Sequence, residues 1–326
     1  MKRRFGIFAG LLAILLLVCW MGCGCTEKYE EEKGAAPSEE HTEEPPDESP
    51  DAAATFRETT ICYLSDEGFI VPVTKLIPWE TGIAKAALSY MVSTPVNLSA
   101  AREMGLRTVI PDGVQLSLSI ADGNALVDIA ELNGLPDRET EDAMIRAIVN
   151  TLTEFPTVST VTITRDGRGG TLENGAELPV RRGAYPLNPE EPELSASAGE
   201  VGVKLYFPNR SGALTIPVTR RLGDDPGIYS TVASLISGPE SNLLRSCFPE
   251  NTLLLGAAIE NRTVTVNLSE DFKAVEQTEG MFSLAYKSLF LTLAERYGMD
   301  TLKIQVNGSE YAPEPIPDKM LNPAAR

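Results

Sequence analysis

The strongest constraint on this chain is an internal duplication. The stretch Phe248 to Phe272, FPENTLLLGAAIENRTVTVNLSEDF, has a partner at Ile110 to Leu132, IPDGVQLSLSIADGNALVDIAEL. Their alignment sets Ile110-Pro111-Asp112 against Phe248-Pro249-Glu250, and Asp128-Ile129-Ala130 against Asn267-Leu268-Ser269. In the first copy Leu116, Leu118 and Ile120 alternate with Ser117 and Ser119, the period of a half-buried strand. Asp122-Gly123 supplies residues that tolerate positive φ, and Ala125, Val127 and Ile129 alternate on the return, which predicts a β-hairpin. In the second copy Asn261 occupies the turn, and Val264, Val266 and Leu268 form the return face. A lone hairpin is marginal in water, so each copy needs an apolar cover.

The cover is duplicated as well. Ile145, Ile148, Val149 and Leu152 follow the first hairpin at helical spacing, and Tyr286, Leu289, Phe290 and Leu293 follow the second. Each predicted helix leads to a short strand, Thr160 to Ile163 and Leu302 to Gln305. Upstream, Ala84, Ala87, Leu88 and Met91 match Ile228, Thr231, Val232 and Leu235 as a first helix, ended by Pro95 and Pro239. Val71-Pro72-Val73-Thr74 matches Ile216-Pro217-Val218-Thr219, behind first strands at Ile61 to Leu64 and Val203 to Phe207, where Cys62 falls against Leu205. The repeat therefore reads β-α-β-β-α-β, and the expected fold class is α+β: two tandem small α/β sandwich domains with helices on one face of the sheet. The domains span 57–187 and 201–310, joined by a linker at 188–200. A proline-bearing tail at 311–326 is expected to pack little, whereas Leu178-Pro179-Val180 is expected to dock on the first domain.

At the N-terminus, Lys2, Arg3 and Arg4 precede an uncharged, mostly apolar run, the layout of a secretory signal over 1–22. Trp20-Met21-Gly22-Cys23 resembles a lipoprotein cleavage box with Cys23 as the lipidated residue. Cys25 is the second choice, and an uncleaved membrane anchor is the alternative. Residues 23–56 turn to Glu, Asp, Pro and Ser. Eleven acids against Lys28 and Lys33 give Glu27 to Asp51 a charge of −9, half of the −18 of the whole chain. Such a segment buries too little apolar surface to offset its ordering entropy, so it reads as an acidic, disordered tether.

Composition excludes much chemistry. The only histidine, His41, lies in the tether, so neither domain can run a Ser-His or Cys-His relay or offer an imidazole to zinc. No HExxH, GxSxG or phosphate-binding glycine loop is present. No catalytic residue, cofactor or metal set is expected. Glu250, Glu270 and Asp271 are the carboxylates that could supply an acid and base pair for glycoside hydrolysis. Their counterparts are Asp112 and the run Ala130-Glu131-Leu132, however, and acids at strand ends and helix starts commonly serve capping. Cys62 and Cys247 fall at core-like positions, and a disulfide between them would join different structural positions of two domains. With 28 basic against 46 acidic residues, and no basic cluster in either repeat beyond Arg181-Arg182 and Arg220-Arg221, no nucleic-acid partner is expected.

The order Leu205-Tyr206-Phe207, Ser237-Gly238-Pro239, Phe248-Pro249-Glu250-Asn251-Thr252 and Val266-Asn267-Leu268-Ser269 resembles the GerM domain family of endospore-forming bacteria. The resemblance covers roughly Thr59 to Gly308 and is weaker in the first copy, where Thr94 replaces the Gly before the proline and Ala130 replaces the Ser after the hairpin. It implies that Gly238, Pro239, Pro249, Asn267 and Ser269 form an interaction or structural motif. It further implies a fold similar to the ring-building motif of secretion systems, and a non-enzymatic scaffold that supports the channel complex joining mother cell and forespore, with an effect on germination. The implied partners are other sporulation membrane-complex proteins and further copies in a ring. The implied location is extracytoplasmic, held by a lipid (palmitate) anchor in the mother-cell-derived membrane facing the forespore. Binding or hydrolysis of cortex peptidoglycan is the alternative function, and a solute-binding or sensor-partner lipoprotein is a third.

Overall fold

The structure, a computed structural model, describes residues 56–78, 82–191, 199–316 and 322–323. The expected signal segment, Cys23 and the acidic tether lie outside the described residues, except that Phe56, expected to end the tether, opens the first strand. Both copies of the repeat belong to one compact unit, Ala52–Arg326.

The first half opens with an antiparallel hairpin of β1 (Phe56–Ser65) and β2 (Ile70–Pro78), in register from Phe56 against Pro78 to Leu64 against Ile70. Helix α1 (Ile83–Tyr90) follows, then α2 (Pro95–Glu103), then the short β3 (Leu106–Arg107) on the far side of β1. The duplicated hairpin is β4 (Gln115–Ala121) and β5 (Asn124–Ala130), turned by Asp122 at φ 50° and Gly123 at φ 73°. Helix α3 (Arg138–Thr153) then crosses to β6 (Thr160–Arg165), which lies parallel to β5. The second half repeats this order with β7 (Val201–Pro208), β8 (Thr215–Leu222), α4 (Ile228–Ile236), β9 (Leu254–Glu260) and β10 (Thr263–Leu268). A 3₁₀ helix (Glu270–Gln277), α5 (Met281–Tyr297), β11 (Thr301–Val306) and β12 (Ser309–Glu310) complete it. Strand β13 (Asn322–Pro323) returns to the first half and pairs in parallel with β2.

The tandem α/β organisation is as expected, with finer differences. The first strand of each repeat has an antiparallel partner, so each half opens on a hairpin whose sheet is distinct from that of the second hairpin. Pro95 ends no run of structure. It sits at the first turn of α2, where its missing N–H is not needed, and Thr94 Oγ1 caps that helix by accepting from Asn97 N at 3.3 Å. Cys62 corresponds to Tyr206 rather than to Leu205. Cys62 pairs with Pro72 and Tyr206 with Pro217, and their backbone N–H groups donate to Thr151 Oγ1 and Thr292 Oγ1 at equivalent places on α3 and α5. Leu205 matches Ile61, and both are fully buried. A one-residue slip exchanges the faces of a strand, which is why the distinction matters.

The segment after β6 folds onto the first half. Ile163 N donates to Pro179 O at 2.9 Å, and Leu178 is buried. On α3, Glu141 is 1% exposed, and its carboxylate accepts from Asn174 N at 2.8 Å, Asn174 Nδ2 at 3.1 Å and Ala176 N at 3.1 Å. Two residues of the expected tail pack, contrary to expectation. Tyr311 sits edge-on to Phe272 and Phe282 with ring centroids 6.0 Å apart, and Asn322 is 3% exposed. An aromatic ring and a side-chain amide hold these two positions, features that the proline content of the stretch hides.

The halves meet along a seam between β2 and β8, and two asparagines bridge it. Asn188 Oδ1 accepts from Ile70 N at 2.8 Å, while its Nδ2 donates to Ile70 O at 2.8 Å and to Pro217 O at 2.7 Å. Asn322 Oδ1 accepts from Thr215 N at 2.8 Å, while its Nδ2 donates to Thr215 O at 2.7 Å and to Pro72 O at 3.3 Å. Ile70 thus lies opposite Pro217, and Pro72 opposite Thr215. The two strands run antiparallel with side-chain amides in place of a backbone ladder.

Replacing Glu141 by Ala strands backbone N–H groups of the 172–178 loop in a buried place. Losing hydrogen bonds to a charged group and leaving donors unmet costs about 3 kcal/mol. The expected outcome for Glu141→Ala is a lowered urea midpoint at unchanged slope, with increased hydrogen exchange at Asn174 and Ala176.

Candidate interaction surface

The motif residues of the second half meet at one end of it, where they shape turns. Gly238 follows α4 at φ 85°, a left-handed conformation that suits glycine, and its carbonyl accepts from Arg220 Nη2 at 2.8 Å. Pro239 continues the turn. Next to it Ser246 Oγ accepts from Phe248 N at 3.1 Å, and Pro249 O accepts from Thr252 N at 3.2 Å. Ser269 then closes the arrangement. Its Oγ accepts from Leu253 N at 3.0 Å, its backbone N–H donates to Leu253 O at 2.9 Å, and its Oγ donates to Asp271 Oδ2 at 3.1 Å. Asn267 Oδ1 accepts from Gly308 N at 2.9 Å and fastens the loop after β11. These side chains thus act as latches, and what they position is the start of β9.

Strand β9 is an edge. Among the described residues it pairs only with β10, with a register shift between Asn267 and Leu268. From Leu253 to Ile259 the sequence is LLLGAAI, without a charge. Leu253 is 61% exposed, Leu255 49% and Ile259 42%; Tyr229 of α4, 53% exposed, donates from its hydroxyl to Leu254 O at 3.1 Å. Edge strands are ordinarily blunted by charge, proline or cover, and an exposed apolar edge marks a place for another chain. The equivalent edge, β4, reads QLSLSIA and presents Ser117 and Ser119 to its outer face. The two halves therefore offer unlike edges.

The carboxylates considered for acid and base chemistry are placed for local structure. Glu270 pairs with Lys273 at 2.6 Å and accepts from Asn307 Nδ2 at 3.0 Å, Asp271 is held by Ser269, and Glu250 is exposed in the turn before β9. An open cleft of about 540 Å³ lies between the halves, floored by Phe69, Ile70, Pro189 and Val218. Two of its acids are engaged: Asp142 faces Arg138 at 3.6 Å, and the Glu190 side chain is 5% exposed and bound by Arg220. That buried pair is a node. Arg220 meets both Glu190 oxygens at 2.5 and 2.9 Å, and Ser234 O at 2.7 Å at the end of α4.

Cys62 and Cys247 are separate, buried thiols, and burial pushes both up to about 12. Among the described residues no group of three or more His, Cys, Asp or Glu is placed to hold a metal, and no helix is long and apolar enough to cross a membrane.

Sequence reasoning missed Asn188, Asn322 and the Arg220–Glu190 node. A signal for the first two exists: Leu-Asn-Pro occurs at 187–189 and again at 321–323, each after a repeat.

Residues 60–171 and 204–312 match the Germane family, described as sporulation and spore germination, and the chain belongs to that family. It is 25% identical over 285 residues to spore germination protein GerM of Bacillus subtilis (strain 168), covering 81% of this chain and 75% of that one. The structure of the tandem GerMN domains of the B. subtilis sporulation protein GerM superposes with a TM-score of 0.64 at 20% identity, over 83% of this chain and 100% of that one. That likeness shows the fold, two GerMN-type domains in tandem.

Two outcomes follow from this geometry. Ser269→Ala removes the acceptor of Leu253 N and is expected to cost about 1–2 kcal/mol, read in thermal or urea unfolding. Both cysteines are expected to resist iodoacetamide in the folded chain at pH 8 and to react together on unfolding, because a thiol raised to about 12 is almost wholly protonated there.

Proposed function

We propose that the chain is a non-enzymatic, membrane-tethered interaction module of sporulation. In this reading it is held by lipid at Cys23 and supports assembly or localisation of the channel complex joining mother cell and forespore. Family membership supports the role in sporulation and spore germination. The observation that carries the module reading is the exposed apolar run Leu253 to Ile259 along the edge strand β9, with Leu253, Leu255 and Tyr229 near its start and Ile259 near its turn. Exposed apolar side chains of this kind in a folded, latched domain support docking by a protein partner. The carboxylates of the glycan alternative sit in caps and turns.

The test is a crosslinking pull-down from sporulating cells with the full chain and with the double substitution Leu253→Lys and Leu255→Lys. Both sites are exposed, so stability is expected to change by less than about 0.5 kcal/mol. The wild type is expected to recover forespore-membrane channel components, and the variant to lose them. Recovery of cortex enzymes or glycan alone, or equal recovery by the variant, overturns the reading.

A further inference from the structure

The two bridging asparagines are equivalent. With Pro72 matched to Pro217 and Ile70 to Thr215, the three hydrogen bonds of Asn188 map one for one onto those of Asn322. The trailing segments are also exchanged between the halves. Pro189, which follows the first half, bridges to Thr219 of β8, whereas Pro323, which follows the second, pairs with Thr74 of β2. A feature made twice from unlike surroundings is a recognition geometry rather than an accident of one loop.

We infer that the seam between β2 and β8 is a peptide-binding site for an extended Asn-Pro segment. The chain's own Asn322-Pro323 fills it in cis, and the same pair of a second copy fills it when the first is displaced. The chemistry selects asparagine. Its side-chain amide offers the acceptor and two donors that the facing strands leave unmet, and the bonds to Asn188 and Asn322 use all three. Aspartate lacks the donors. Glutamine sets the amide one methylene farther out.

Pro72 and Pro217 create the demand. The polar groups of Ile70, Pro72, Thr215 and Pro217 that meet the asparagines face the seam, and a proline there has no N–H to give a neighbouring strand. A second, independent feature points to the residue before the asparagine. Thr219 Oγ1 donates to Leu187 O at 2.8 Å, while its counterpart Thr74 Oγ1 is buried with no partner among the described residues. The carbonyl preceding the asparagine of a bound peptide matches that hydroxyl by the same equivalence.

The test uses the full chain carrying Asn322→Ala and the fluorescent peptide Lys-Met-Leu-Asn-Pro-Ala-Ala-Arg, the sequence of residues 319–326. Polarisation is expected to show saturable binding to this variant at least tenfold tighter than to the wild type, whose own segment competes. The peptide with alanine for asparagine is expected to bind at least tenfold more weakly. Hydrogen exchange separates loss of the site from loss of the fold: Thr215 N–H exchanges faster in the variant and is protected again by peptide, while Ile70 N–H, held by Asn188, stays protected. If Ile70 also loses protection, Asn322→Asp takes the place of the alanine variant, since it keeps the acceptor for Thr215 and removes both donors. Equal binding of the two peptides, or no binding by a variant whose Ile70 amide is protected, overturns the inference.

Discussion

Two prolines facing one seam determine how the halves of this protein join. β2 and β8 lie antiparallel, with Ile70 opposite Pro217 and Pro72 opposite Thr215, an arrangement that would ordinarily close into a continuous sheet. Pro72 and Pro217 each deny that ladder a donor, leaving only Ile70 N and Thr215 N in the two facing pairs. The buried groups that remain still require partners, because an unmet backbone N–H or C=O away from water costs as much as a lost hydrogen bond. Asn188 and Asn322 meet that requirement from outside the strands. The join is therefore specific in direction and register, and it depends on two side chains that belong to neither sheet core.

The asymmetry between the halves is the second organising fact. Both halves share the order of elements, the turn at positive φ, and the threonine on the second long helix that receives a backbone N–H from the first strand. They differ where a partner would meet them. The first half lengthens the Pro95 to Pro111 stretch into α2 and β3 and keeps serines along β4, whereas the second leaves β9 apolar. Duplication preserved the scaffold and let one edge change its surface.

Much of the fold was legible because periodicity reports burial. Ala125, Val127 and Ile129, and likewise Val264, Val266 and Leu268, alternate in sequence and are fully buried on their return strands. Ile145, Ile148, Val149 and Leu152 keep helical spacing and lie inside. The seam was not legible in this way, since its determinants are polar residues in proline-bearing segments, where local pattern predicts only turn or tail. The motif residues Gly238 and Ser269 were visible as a pattern, but their function as latches rests on contacts with Arg220 and Leu253, which are distant in sequence. Exposure of the β9 edge required the topology, because an uncharged run such as Leu253 to Ile259 reads equally well as a central strand.

The placement of Asn322 bears on how the chain is made. Domains generally complete themselves in order as synthesis proceeds. Here a partner of β2, in the first half, lies 250 residues further along the chain, so Pro72 O and Thr215 N wait until Asn322 has been made. Until then, among the described residues, Asn188 alone bridges the strands, at Ile70 and Pro217. Only the arrival of Asn322 closes that part of the seam.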